Sequence, residues 1–261
     1  MYFIVALRTF GFSDDWIFVL LFWCAHNITY YAWALPCQWF YKHDYLQQWK
    51  IEPLKKPDAT LIASSSIKQI WLRCLLHPFI WFFMYRTIIS KQLDCEIPSL
   101  YVSIILLLIS FYSFFLQNAF LHKAFHDYPF LFRWHKLHHQ FITTTGIAAE
   151  HHTLIDSIAN GIITLLPCII LQLHPILWCI HMFLRTWESV DSHSGYAFPF
   201  TPFQYLPGFA HQQEYHAFHH YAYQGAFSCL LFDHLTGADK PYLKKIQRSF
   251  ISVVSYGYFG K

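Results

Sequence analysis

Charge is scarce in this sequence. Only 13% of its 261 residues are Asp, Glu, Lys or Arg, where a soluble domain usually carries about a quarter. Apolar types make up 55% and aromatic types 21%, a composition that suits helices in lipid with aromatic belts at the interfaces. The formal net charge of +3 is small and spread along the chain, so no nucleic-acid partner is expected. Paired cysteines are also lacking. Seven are present, an odd number with no Cys-x-x-Cys, and Cys24, Cys74, Cys168 and Cys179 sit in apolar runs. That excludes a disulfide framework and a thiolate zinc site, and leaves small buried side chains. A cleavable signal is not expected, because no small-residue cleavage site separates the apolar stretch 1–7 from Asp14 and Asp15. The Gly257–Lys261 end carries no retrieval or lipidation motif, and neither a solenoid repeat nor a low-complexity tract is visible.

Long apolar runs are plentiful. Trp16 to Phe40, Ile67 to Ile89 and Pro98 to Leu121 each exceed the roughly 20 residues that cross a hydrocarbon core. Arg73 and His77-Pro78 interrupt the second. A fourth, Ile158 to Val190, is broken near His174-Pro175 and reads as a helical hairpin entering and leaving on one side. Lys42, Lys50, Lys55 and Lys56 follow the first run, only Lys91 follows the second, and Lys123, Arg133 and Lys136 follow the third. Counting positive charge places the loops that hold the histidines in the cytosol and the N-terminus on the lumenal or external side.

Histidine is the residue in excess, with eighteen in all. Three clusters stand out: His122-Lys-Ala-Phe-His126 at the cytosolic end of the third run, His135-Lys-Leu-His138-His139, and His216-Ala-Phe-His219-His220. Positions i, i+3 and i+4 share a helix face, so such imidazoles are expected to converge on a common point. His193, in Asp191-Ser-His193-Ser-Gly195, adds a further ring. Imidazole is a good neutral ligand for iron, zinc or copper, and this many rings imply two ions rather than one. The shortage of Asp and Glu nearby excludes a carboxylate-rich di-iron bundle. An all-imidazole iron pair beside a membrane suits oxygen attack on an unactivated C–H bond of a lipid. His26, His43, His77, His174 and His181 stand alone and read as interfacial or packed side chains.

The order HxxxH, HxxHH, HxxHH resembles the fatty acid hydroxylase and sterol desaturase superfamily. The segments Trp187-Glu-Ser-Val-Asp-Ser-His-Ser-Gly-Tyr-Ala-Phe-Pro199 and Leu230-Leu-Phe-Asp-His-Leu-Thr-Gly237, with Trp49-Lys-Ile-Glu-Pro and Lys55 to Pro57 upstream, are similar to its 4-methylsterol monooxygenase and cholesterol 25-hydroxylase branch. The likeness runs from about Trp16 to Pro241. It implies an all-α membrane protein of about four to five membrane helices, with a cytosolic helical cap carrying a histidine-rich di-metal site. The layout expected is an N-terminal segment 1–15, a membrane domain 16–241 and a tail 242–261. Matched position by position, the resemblance implies metal ligation by His122, His126, His135, His138, His139, His193, His216, His219 and His220, with His152 a further candidate. It also implies two non-haem iron ions and molecular oxygen, with electrons from NAD(P)H through a cytochrome b-type donor. The partners implied are the bilayer, a sterol or other lipid substrate and an electron-transfer protein, and the location is the endoplasmic reticulum membrane.

Some positions depart from that pattern. Ala217 and Ala197 stand where relatives often have Asp, Thr153 where many have Pro after His, and an apolar stretch around Phe114 and Phe115 where an Asp is frequent. Carboxylates orient ligand imidazoles, so thinner support for the rings is expected. The leading function is hydroxylation of a sterol or related lipid. Hydroxylation or desaturation of a fatty acyl or sphingoid chain is the alternative within enzymes, and a catalytically silent metal-binding scaffold the alternative outside them. A zinc enzyme or transporter fits less well, since zinc needs only three or four protein ligands and transport sites lie within the spans.

Overall fold

The computed structural model describes residues 7–90 and 96–247. Lys91 and the Gly257–Lys261 end lie outside these, as do parts of the N-terminal segment and the tail. Among the described residues every named element is helical.

The first apolar run forms α1 (Asp14–Lys42). The second is wound with α2 (Ala59–Trp71) and α3 (His77–Met84) into one path, with wide π-turns at Leu72–Leu76 and Tyr85–Ile89. Pro78 explains the first of these, since proline offers no N–H and its ring crowds the carbonyl four residues back. The third run forms α4 (Leu100–Asp127), capped by the Ser99 hydroxyl accepting from the Val102 N–H at 3.4 Å. The fourth breaks where the His-Pro pair predicted, into α6 (Leu154–Ile170) and α7 (Pro175–Ser192); the His174 ring accepts from the Ile176 N–H at 3.2 Å as the cap of α7. Short α5 (Pro129–His135), α8 (Gln212–Ala222) and α9 (Leu230–Thr236) complete the set.

Two helices, α1 and α4, are long and apolar enough to cross a membrane, and α6 is a shorter apolar helix. Helix α4 leaves Leu100, Tyr101, Ile104, Leu108 and Ile109 exposed, the outward apolar face that lipid would cover.

Packing is aromatic. Phe18, Phe22, Trp81, Tyr85 and Trp178 join α1, the α3 path and α7 in one core, and Phe111, Phe114, Phe115, Phe203 and Phe209 join α4 to the loop before α8. Arg73, in the second run, is only 1% exposed. Its charge is met by the Glu150 carboxylate, by Asn27 Oδ1 at 2.9 Å and by the Tyr30 ring 3.8 Å from the guanidinium carbon. The loop after α1 and the segment after α7 pair with each other: the Ile51 N–H donates to Gly195 O at 3.0 Å and the Ala197 N–H to Trp49 O at 2.7 Å. Two segments 144 to 148 positions apart in the chain thereby fix the exit of α7, beside His193.

Candidate metal centre

The first box ends α4, where His122 and His126, one turn apart, point the same way. The second box departs from the expected single helix face. Helix α5 stops at His135, and His138–Gln140 is a tight turn, so the rings after His135 leave the helical path. The third box lies on α8, and His193 stands just beyond the end of α7.

These nine rings form two groups. His122, His126, His135, His139 and His219 make one; His138, His193, His216 and His220 make the other; within each, the ligand nitrogens lie within 4.8 Å of one another. Two groups match the two ions that the number of rings implied, but the rings of one box were expected to converge on one point, and two of the boxes do not. The second and third boxes are each divided, and in opposite senses: their outer pairs, His135 with His139 and His216 with His220, go to different groups, while His138 and His219 cross over. In the third box, which stays on one helix, i+4 lies about 40° to one side of i and i+3 about 60° to the other, enough for His219 to address a different centre. His152 belongs to neither group; its ring centroid is 4.8 Å from that of His138.

Hydrogen bonds decide which ring nitrogen faces inward. A carbonyl oxygen can only accept, so a nitrogen against it must be the N–H. His122 Nδ1 donates to Phe227 O at 2.6 Å, His193 Nδ1 to Ser189 O at 2.7 Å, His219 Nδ1 to Gly225 O at 2.7 Å and His220 Nδ1 to Phe141 O at 2.9 Å. His135 Nδ1 donates to the Asp156 carboxylate at 2.9 Å. In the neutral rings every Nε2 of this set is then a bare lone pair. His122 Nε2 and His135 Nε2 nevertheless stand 2.9 Å apart, and lone pairs facing at that distance repel unless a cation lies between them. His219 Nε2 is buried with no partner. In the other group His216 Nε2, whose tautomer no carbonyl fixes, stands 2.8 Å from His193 Nε2 and 3.2 Å from His220 Nε2. Two nitrogens each about 2.1 Å from one ion and at a right angle lie roughly 3.0 Å apart. The donor sets therefore fit a metal ion in each group.

Burial keeps these rings neutral and so able to ligate. It pushes His139 down to about 4 and His193 to about 3, and holds His135, His138, His216, His219 and His220 well below the ordinary imidazole range, neighbouring rings adding to the effect in the last five.

The thin support expected from the missing carboxylates is not what the structure has. Backbone carbonyls orient four rings and Asp156 a fifth. Asp156 is fully buried; its other oxygen accepts from Asn160 at 2.8 Å, and its N–H reaches the Thr153 hydroxyl at 3.2 Å. Thr153 caps α6 and donates to Trp134 O at 2.9 Å, which gives that departing residue a structural task. Burial raises the Asp156 carboxyl, opposed by nearby histidines. Sequence reasoning missed Asp156, although Thr153-Leu-Ile-Asp156 before an apolar run is a helix-start signature. Among the isolated histidines, His26, His77, His174 and His181 join neither group.

A family model described as fatty acid hydroxylase matches residues 98–238, which include all three boxes and His193. The chain belongs to the fatty acid hydroxylase family. It is 30% identical to the C-4 methylsterol oxidase of Schizosaccharomyces pombe over 80% of this chain and 72% of that protein. Against a methylsterol monooxygenase of Aspergillus fumigatus the identity is 29%, over 78% of this chain and 71% of the relative. A very-long-chain aldehyde decarbonylase of Oryza sativa subsp. japonica is 26% identical over 84% of each chain. No solved structure matches.

Proposed function

We propose that this member of the fatty acid hydroxylase family is a di-iron monooxygenase that hydroxylates a sterol or related lipid, with the nine grouped histidines as its metal ligands. The observation that carries the reading is the gathering of nine histidines into two groups whose ligand nitrogens lie within 4.8 Å of one another, with the His122 and His135 Nε2 lone pairs facing at 2.9 Å, a repulsion that a cation between them relieves. All-imidazole coordination suits iron, and the methylsterol relatives favour a sterol.

Bound iron supplies activation of O2 with electrons relayed from NAD(P)H by a cytochrome b-type donor, so that R–H, O2, two electrons and two protons give R–OH and water. The chain does the rest. Five Nδ1–H groups fixed by carbonyls and Asp156 hold the rings in one tautomer. Burial keeps water from the histidines, and the recess beside them, about 60 Å³ and bordered by His122, His135, His138, His193 and His216, admits only a small part of a substrate. The bulk of the lipid must lie elsewhere. Residence in the endoplasmic reticulum, with several spans and the histidines facing the cytosol, belongs to the same proposal.

The decarbonylase relative favours a second reading, in which the substrate is a long straight chain. Iron quantification with product analysis on purified, reconstituted protein tests both. Two irons per chain and an O2- and NAD(P)H-dependent hydroxysterol support the proposal, and a hydroxylated or shortened straight chain supports the second reading. Two zinc ions with no iron, or equal rescue of a lipid defect by wild type and the His219→Ala, His220→Ala double variant, overturn it.

A further inference from the structure

Next to the histidines lies a chamber of about 140 Å³, and beyond it an apolar slot of about 280 Å³. The chamber shares Ala149, His152, Asn160, Arg185 and Ser189 with the recess at the histidines. On its other side it shares Leu72, His77, Trp81, Ser157 and Gly161 with the slot, which runs between the α3 path and α6. The three spaces adjoin in series, from an apolar opening to the metal centre.

The two outer spaces differ in chemistry. The slot is lined by Leu76, Ile80, Met84, Ile158, Leu165 and similar residues. The chamber wall carries His26, Arg73, His77, Trp81 and Arg185, and each keeps one buried polar atom without a partner: His26 Nδ1, Arg73 Nε, His77 Nδ1, Trp81 Nε1 and Arg185 Nε. Arg73 is 1% exposed, and His26 and Trp81 are 7%. Leaving such a group unsatisfied is costly, so five around one cavity point to something that satisfies them. Three of the five, the two guanidinium N–H groups and the indole N–H, can only donate. The internal needs of the cluster are already met elsewhere, since Glu150 takes His26 Nε2 at 2.6 Å and the Arg73 terminal nitrogen.

We propose that this chamber binds an oxygen acceptor, a hydroxyl or carbonyl, on a lipid whose apolar body occupies the slot. A lipid held this way turns the carbons close to its oxygen function, rather than its far end, toward the histidines. The consequence for regiochemistry rests on the oxygenase reading; the binding does not.

The test is equilibrium binding to the full chain in detergent micelles without added metal. Two pairs of probes are used: cholestane against cholestan-3-one, and an eighteen-carbon alkane against the eighteen-carbon methyl ketone. The expected result is at least about tenfold tighter binding of the ketone in one or both pairs, and the pair that shows it identifies the lipid body. Equal binding within both pairs overturns the proposal. Trp81→Phe keeps an aromatic ring and removes one donor; the preference should fall by about three- to tenfold, the worth of one neutral hydrogen bond. A folded Trp81→Phe protein with an undiminished preference overturns the chamber as well. His219→Ala should retain the preference. A wild-type preference in a protein with no hydroxylase activity leaves the chamber standing and removes the oxygenase, and turnover without any preference does the reverse.

Discussion

His135 donates its Nδ1 proton to Asp156 at 2.9 Å, and both side chains are almost wholly buried. The carboxylate fixes the tautomer, so His135 presents Nε2 to His122. Removing such a partner typically lowers metal affinity by about 10- to 100-fold. Asp156→Ala is expected to lose affinity for the metal by that factor, whereas Asp156→Asn, which keeps an acceptor for the ring, should lose less. Competition against a chelator with metal counted per chain decides it, and wild-type retention in Asp156→Ala would show that His135 does not depend on its neighbour.

The division of the boxes between two groups makes a stoichiometric prediction. His216 and His220 share a group, and His219 belongs to the other. The His216→Ala, His220→Ala double variant should therefore hold about one metal equivalent, still bound by the five-ring group, while His219→Ala, His220→Ala weakens both centres. Elemental analysis of the two proteins separates these outcomes. Loss of both ions from the first variant would mean a single shared centre.

Much of this was legible in the sequence. The three boxes announced the metal chemistry through spacing alone, and His174-Pro175 announced the break between α6 and α7, because proline dictates local backbone whatever surrounds it. The partition of His135 from His138 was hidden. It depends on α5 ending at His135 and on the turn that follows, which no periodicity encodes. The carbonyls of Phe141, Ser189, Gly225 and Phe227 were equally hidden, since every residue has a carbonyl and only tertiary packing selects these four. Arg73 looked like a defect in an apolar run; Glu150, 77 positions away, makes it part of a buried network.

Gly195 tests how firmly the segment after His193 is held. Its φ is +78°, and a Cβ there would overlap Tyr41 Oη and lie 2.6 Å from Thr144 O. Backbone cannot yield as a flexible side-chain tip can, so Gly195→Ala combines strain with overlap and should destabilise by about 2–4 kcal/mol. Because Gly195 O also receives the Ile51 N–H, metal affinity at the four-ring group should fall with stability. Thermal unfolding and metal content of the variant provide the check, and a wild-type midpoint would show this turn to be loosely packed.

Asp233 joins α9 to the helix of the third box, accepting from the Tyr215 hydroxyl at 2.9 Å and the Ser228 N–H at 3.0 Å, while its Oδ1 is buried without a partner. Burial raises its carboxyl from 3.8 to about 6, against the pull of those hydrogen bonds. Between these values the folded chain keeps a proton that the unfolded chain has released. Stability from this group is thus full below about pH 4, falls as pH rises toward 6 and is constant above, a loss on the order of 3 kcal/mol. Asp233→Asn carries no titrating proton and still offers an oxygen to Tyr215 and Ser228. Relative to wild type it should gain stability steadily from pH 4 to 6 and hold that gain at pH 7. Denaturant unfolding of both proteins across this range measures the difference directly, other titrating groups cancelling between them. Parallel curves would mean that Asp233 is ionised in the folded protein throughout, and that its bond to Tyr215 is charge-assisted rather than held against a burial cost.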